Sequence, residues 1–282
     1  MNSTEINEKL NHYLRLSTFP VAVRMLESGE EIISDGVVQK SKGMPMPVCQ
    51  GISLSRRYGW KVLLRGEDMS CPFGAVALGF VPPKPEFLNG SIQAPYWVGT
   101  RDARAKIARN LPKLDCGKYR SIFSAPLTMA EFDPHLVIIY GNPAQMVRLV
   151  QSCIYLTGEP VVSTSYGAVG CSTYISKTIR TDECQFVLSG AGDRIFAATQ
   201  DDEACFSIPM SKMEGVLKGL EETHRSGMRY PTPTYLKSQV ELPDTYKDLL
   251  AYLQNDRFSP ILGDITSLDP LGHKKGMAEE TK

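Results

Sequence analysis

The feature that most constrains this chain is Leu136-Val137-Ile138-Ile139-Tyr140, a continuous apolar run followed at once by Gly141-Asn142-Pro143 and a helical pattern from Ala144 to about Leu156. A β-branched run of this length reads as a strand. Asn142 can cap the next helix, and Pro143 suits its first position, where a missing N–H costs no intrahelical bond. This β-α unit predicts an α/β domain with a mixed sheet flanked by helices. The expected boundaries are a single α/β domain over residues 1–258 and a peripheral or frayed C-terminal tail over residues 259–282.

Other elements follow from local signals. Ser3 to Leu16 reads as an amphipathic helix stopped by Phe19-Pro20, Val21 to Leu26 as a strand, and Val48 to Tyr58 as a helix that Gly59 ends in the left-handed conformation. Trp60 to Leu64 is a strand candidate. Cys71 then precedes Pro72 at the N-cap of a helix. Thr100 to Leu111 is helical, with Arg101, Arg104, Lys106 and Arg109 read as a solvated cationic face. Val161 to Ser165 is extended, and Tyr166 to Tyr174 is a glycine-rich loop. Ile195 to Thr199 and Cys205 to Ile208 are expected to form a hairpin around Asp201-Asp202-Glu203, and Gly190-Ala191-Gly192-Asp193-Arg194 a tight turn before its first strand. Ser211 to Arg225 and Asp244 to Leu253 are further helices. Gly74-Ala75-Val76 and Gly167-Ala168-Val169 occur in similar settings, which leaves open an internal duplication or a coincidence.

With 31 basic and 31 acidic residues in 282, no overall field draws the molecule to nucleic acid or an anionic membrane. No apolar run reaches the roughly 18 residues a membrane span needs, and the N-terminus does not read as a signal peptide. The expectation is a cytoplasmic protein whose partner is a small-molecule ligand, with homo-oligomerisation open.

Seven cysteines against four histidines is the chemically informative ratio. In a reducing compartment they are thiols, metal ligands or redox groups rather than staples. They form no CxxC or CxxH, so any metal site must be assembled from distant segments. Cys71 is the first candidate, since a helix N-terminus favours thiolate; Cys49, opening a helix after Pro45-Met46-Pro47, is the second, and Cys171, after a glycine-rich turn, the third. Together they would suit a soft metal or an iron–sulfur cluster. Cys153 and Cys205 read as packing residues, and Cys116 and Cys184 lie in polar loops. Asn142 and Gly167 are the candidates for binding a cofactor or small ligand, with Arg148 adding charge. No Ser-His-Asp or Cys-His set is evident among His12, His135, His224 and His273. Asp68, Asp193, Tyr140 and Tyr166 remain undistinguished acid–base candidates, and the catalytic residues stay unassigned.

Several segments taken together resemble domain of unknown function family 169 (DUF169), a bacterial and archaeal family. They are Phe19-Pro20-Val21-Ala22-Val23, Cys49, Cys71-Pro72-Phe73-Gly74-Ala75 with Leu78-Gly79-Phe80, the stretch from Ile139 to Met146, and Gly192-Asp193-Arg194 leading to Phe206-Ser207-Ile208-Pro209. The likeness spans about residues 10 to 230. It implies no activity, but Cys49 and Cys71 match the family's cysteine positions, which favours a functional thiol pair. The functional expectation is a cysteine-centred metal-binding or redox protein, iron–sulfur dependent and acting on a small molecule; the alternative is a non-catalytic small-ligand sensor or carrier.

Overall fold

The computed structural model describes residues 1–32, 38–40, 45–92, 94, 97–232 and 242–254. The C-terminal tail expected over 259–282, with His273, lies outside them. Among the described residues the chain forms a seven-stranded sheet from β1 (Val21–Glu27), β2 (Val38–Lys40), β3 (Lys61–Arg65), β4 (Tyr119–Pro126), β5 (Leu136–Gly141), β6 (Gln185–Val187) and β7 (Ala204–Pro209), in the order β2-β3-β4-β1-β5-β7-β6. The β2–β3 pair is parallel and the other pairs are antiparallel, so the sheet is mixed.

The apolar run of β5 is continuous because both faces of the sheet are covered. Successive side chains of a strand point to opposite faces. Leu136, Ile138 and Tyr140 accordingly enter one core with Val23, Ile52, Leu64 and Tyr174, while Val137 and Ile139 enter another with Leu10, Leu149, Phe206 and Leu217. The second face is closed by α1 (Ser3–Leu14), α6 (Pro143–Ile154) and α9 (Met210–Arg225). The helices α6 and α9 approach so closely that a Cβ on Gly219 would collide with the Ser152 carbonyl oxygen.

The first face carries α2 (Val48–Tyr58), α3 (Pro72–Ala77) and a π-helix, Ser172–Lys177. The remaining helices are α4 (Pro85–Leu88), α5 (Arg101–Asn110), α7 (Thr178–Thr181), α8 (Ala191–Ala197) and α10 (Asp244–Gln254). No helix is long and apolar enough to cross a membrane among the described residues.

Several expectations need correction. The first helix ends at Leu14, because Arg15 adopts the left-handed conformation five residues before Pro20 could stop it. The hairpin around Asp201 does not form. Ala191 to Ala197 is helical, since the Asp193 carboxylate accepts the Gly190 N–H as an N-terminal cap and Ala198, left-handed, closes the helix. Gly190 to Arg194 is therefore a helix start rather than a turn before a strand. Part of the glycine-rich loop, from Ser172 on, is the π-helix. Arg104 leaves the solvated face of α5: it is buried, with its guanidinium over the rings of Phe73 and Phe87. The two Gly-Ala-Val tripeptides are not equivalent, one lying inside α3 and the other in a loop where Gly167 and Val169 have positive φ.

Candidate functional site

Three of the walls built on the first face of the sheet carry a cysteine, and all three meet at one cavity of about 300 Å³. Cys49 sits in the first turn of α2, which starts after Pro47 because proline cannot join the preceding backbone pairing but tolerates the extended N-cap conformation. Cys71 is the N-cap of α3, where its sulfur accepts the Gly74 N–H at 3.4 Å. Cys171 lies directly before the π-helix. π-turns and strained backbone concentrate at functional sites, and here Val169, a β-branched residue at φ 53°, stands beside the π-helix on the same cavity wall.

The cavity is predominantly apolar, and its polar groups are few. The Cys49 thiol donates to the Gly192 carbonyl at 3.7 Å. Asp193, buried at the first turn of α8, accepts from the Tyr174 hydroxyl at 2.9 Å and from the Gly190 N–H at 3.0 Å. Trp97 and Phe196, both exposed, stand at the mouth.

A second layer fixes the walls relative to one another. Arg56 of α2 is buried, forked onto both carboxylate oxygens of Glu203 at 2.9 Å each, and lies 4.0 Å over the Tyr140 ring. Ser53 of the same helix donates to the Ala197 carbonyl at 2.6 Å. The Ser53 bond ties α2 to the end of α8 and the Arg56 fork ties it to the turn before β7, and together they hold Cys49 beside Asp193.

The electrostatics favour neutral groups. Burial, then the charges of Asp193 and Cys71, push the Cys49 thiol up to about 12. Burial, then Cys71 and Cys49, push Cys171 well above the ordinary thiol range. Burial also raises the Asp193 carboxyl, against the pull of its Tyr174 bond. A thiolate at Cys49 or Cys171 is therefore unfavourable until a cation or a proton acceptor enters the cavity. No group of three or more His, Cys, Asp and Glu side chains is arranged to hold a metal ion among the described residues. The three thiols surround a space rather than a point.

The structure thus brings together Cys49, Cys71, Cys171 and Asp193, and leaves other candidates elsewhere. Asn142 caps α6, with its amide donating to the Tyr230 hydroxyl at 2.7 Å, while Gly167 accepts from Ala191 in the loop behind the cavity; no described cavity contains both. Arg148 turns to α9 and binds Thr223 and the Leu220 carbonyl. Asp68 caps a turn at Arg65. Tyr166 packs near Val169 and Phe87, and Tyr140 is enclosed under Arg56. His135 accepts the Met25 N–H, and Tyr13 meets His12 edge-on and His224 at a tilt. Tyr174 is the functional neighbour that the sequence did not single out. Its one signal is position, three residues beyond Cys171, which in a helix puts both on one side.

The DUF169 family, described as uncharacterised ArCR, matches residues 9–219. An uncharacterized protein of Methanocaldococcus jannaschii is 25% identical over 228 residues, covering 78% of this chain and 96% of that protein. No solved structure matches the chain.

Proposed function

The chain belongs to the DUF169 family, and we propose from its cavity that it is a cysteine-centred protein that takes up a small, largely apolar molecule beside the Cys71 thiol. The observation that carries this reading is the convergence of Cys49, Cys71 and Cys171, from three distant segments, on one apolar space of about 300 Å³. That volume is at the small end of the range for metabolite-sized ligands. The apolar lining supplies affinity, and the few polar groups supply orientation. Cys71 is the partly accessible member of the trio, whereas Cys49 and Cys171 are buried.

The test is a thermal-shift screen with neutral aromatic and aliphatic metabolites. A ligand at about 100 times its Kd adds roughly 2.7 kcal/mol of stability. The gain disappears in a Gly192→Leu variant, placed on the cavity lining where an added Cβ meets nothing within 4 Å. A screen in which stabilisation is unaffected by that change counts against this cavity.

A second reading has its own support. Three cysteines around one space suit an iron–sulfur cluster better than a single ion, because a cluster spreads its thiolate attachment points. Cys49, Cys71 and Cys171 would hold it, and each would release a proton on binding. Anaerobic reconstitution followed by iron and sulfide analysis separates the readings: near-stoichiometric iron and sulfide, lost in Cys71→Ser, favours the cluster.

A further inference from the structure

We propose that Cys153 and Cys184 form a reversible disulfide that fastens the segment carrying Cys171. Cys153 lies in the last turn of α6, and Cys184 immediately precedes β6. Neither touches the thiol-lined cavity of the first face. They belong to the core of the opposite face, and together they line a separate cleft of about 420 Å³ with Thr157, Glu159, Glu183 and Lys212 at its edges. The Cys184 side chain, ahead of burial, is the largest influence raising the Cys153 thiol, in keeping with their shared place in this core and on this cleft. Both are free cysteines. A cleft with polar edges gives a small reagent a route to two thiols that line it together.

The chain between them, residues 154–183, contains the loop with strained Val169, the cavity residues Gly170 and Cys171, and the π-helix with Tyr174. A link across its ends removes conformational freedom from one wall of the cavity. The oxidant is a low-molecular-weight disulfide. One cysteine attacks it as thiolate, expels one external thiol and forms a mixed disulfide; the second cysteine attacks the protein sulfur and expels the other external thiol. Two protein thiols are oxidised, the external disulfide is reduced to two thiols, and the two cysteine protons end on the departing sulfurs.

The full chain, equilibrated with mixtures of oxidised and reduced glutathione at pH 8 and then alkylated, is mapped by mass without reduction. The expected product is a linked Cys153–Cys184 peptide pair lacking two hydrogens, restored to free thiols by a dithiol. In Cys153→Ser, Cys184 carries a stable glutathione adduct instead. Hydrogen exchange over residues 155–183 slows several-fold on oxidation. Cys153 and Cys184 both recovered as free thiols, or each bearing its own adduct, in samples where exposed Cys116 carries glutathione, overturns the proposal. A link that leaves exchange over 155–183 unchanged overturns the fastening.

Discussion

The hydroxyl of Tyr174 donates to Asp193 Oδ1 across 2.9 Å, with both side chains buried at the floor of the thiol-lined cavity. One bond thereby ties the π-helix to the start of α8, so the walls that carry Cys171 and Asp193 move as a unit. Tyr174→Phe leaves a buried carboxyl short of a donor and is expected to cost about 1–3 kcal/mol of stability. The cost is largest where Asp193 is ionised and shrinks at lower pH, where it is protonated. Urea denaturation of both proteins across pH 4 to 8 reads the difference; a cost that nowhere rises with pH counts against an ionised acceptor.

Asp193 also gives the stability profile a slope of defined sign. Its carboxyl is raised by burial above the ordinary value, so the folded chain keeps a proton that the unfolded chain releases. Stability from this group therefore falls as pH rises from the ordinary carboxyl value through the raised one. Asp193→Asn removes that slope. Denaturation midpoints between pH 4 and pH 7, compared for the two chains, check it.

The Arg56–Glu203 fork works in the opposite sense. Burial alone would raise Glu203, but its bonds to Arg56, the Gln200 N–H and the nearby charge of Arg57 hold the carboxyl below its ordinary value. Its contribution is present above the ordinary carboxyl value and is lost as pH falls through the depressed one. Glu203→Gln strands a guanidinium that is 1% exposed, and the expected loss is about 3 kcal/mol at pH 7. Arg56→Lys does not preserve stability, because one ammonium cannot reproduce the two parallel bonds or the planar contact with Tyr140. Equilibrium unfolding of the two variants measures both effects.

How much of this was legible depended on whether local chemistry and tertiary packing agreed. The β5–α6 unit was legible because strand and cap signals coincide, and Gly59 ends α2 as its type suggests. Cys49, Cys71 and Cys171 were legible as candidates from helix-start chemistry, yet their meeting depends on the sheet order. Strand β4 went unread because Ser121 and Ser124 interrupt its apolar character; Ser124 is tolerated inside because its hydroxyl pairs with Ser55 at 2.9 Å. Helix α8 was misread as a strand for a different reason. Ile195 and Phe196 are apolar and β-compatible but exposed, so their pattern reports no buried face, and the deciding signal was the Asp193 cap. Cys184, in a polar loop by sequence, is buried against α6 only because β6 brings it there.

The labelling order of the cysteines brings these features to one measurement. With Cys49 pushed up to about 12, only about one molecule in ten thousand carries its thiolate at pH 8. Burial holds Cys171 and Cys205 above the ordinary range, and the Cys184 side chain together with burial does the same for Cys153. Cys71 is half-buried on the cavity and Cys116 is exposed in a turn. Cys71 is therefore expected to be alkylated in the native chain ahead of every cysteine except Cys116, whose access is unobstructed. A ligand in the cavity should slow Cys71 at least several-fold while leaving Cys116 unchanged, since Cys116 lines no part of that space. Pulsed alkylation from pH 7 to pH 9, with each cysteine quantified by mass, checks both the order and the protection. If Cys71 reacts no faster than Cys153, the cavity does not give reagents access to its thiol, and Cys71 is a packing residue at the start of α3.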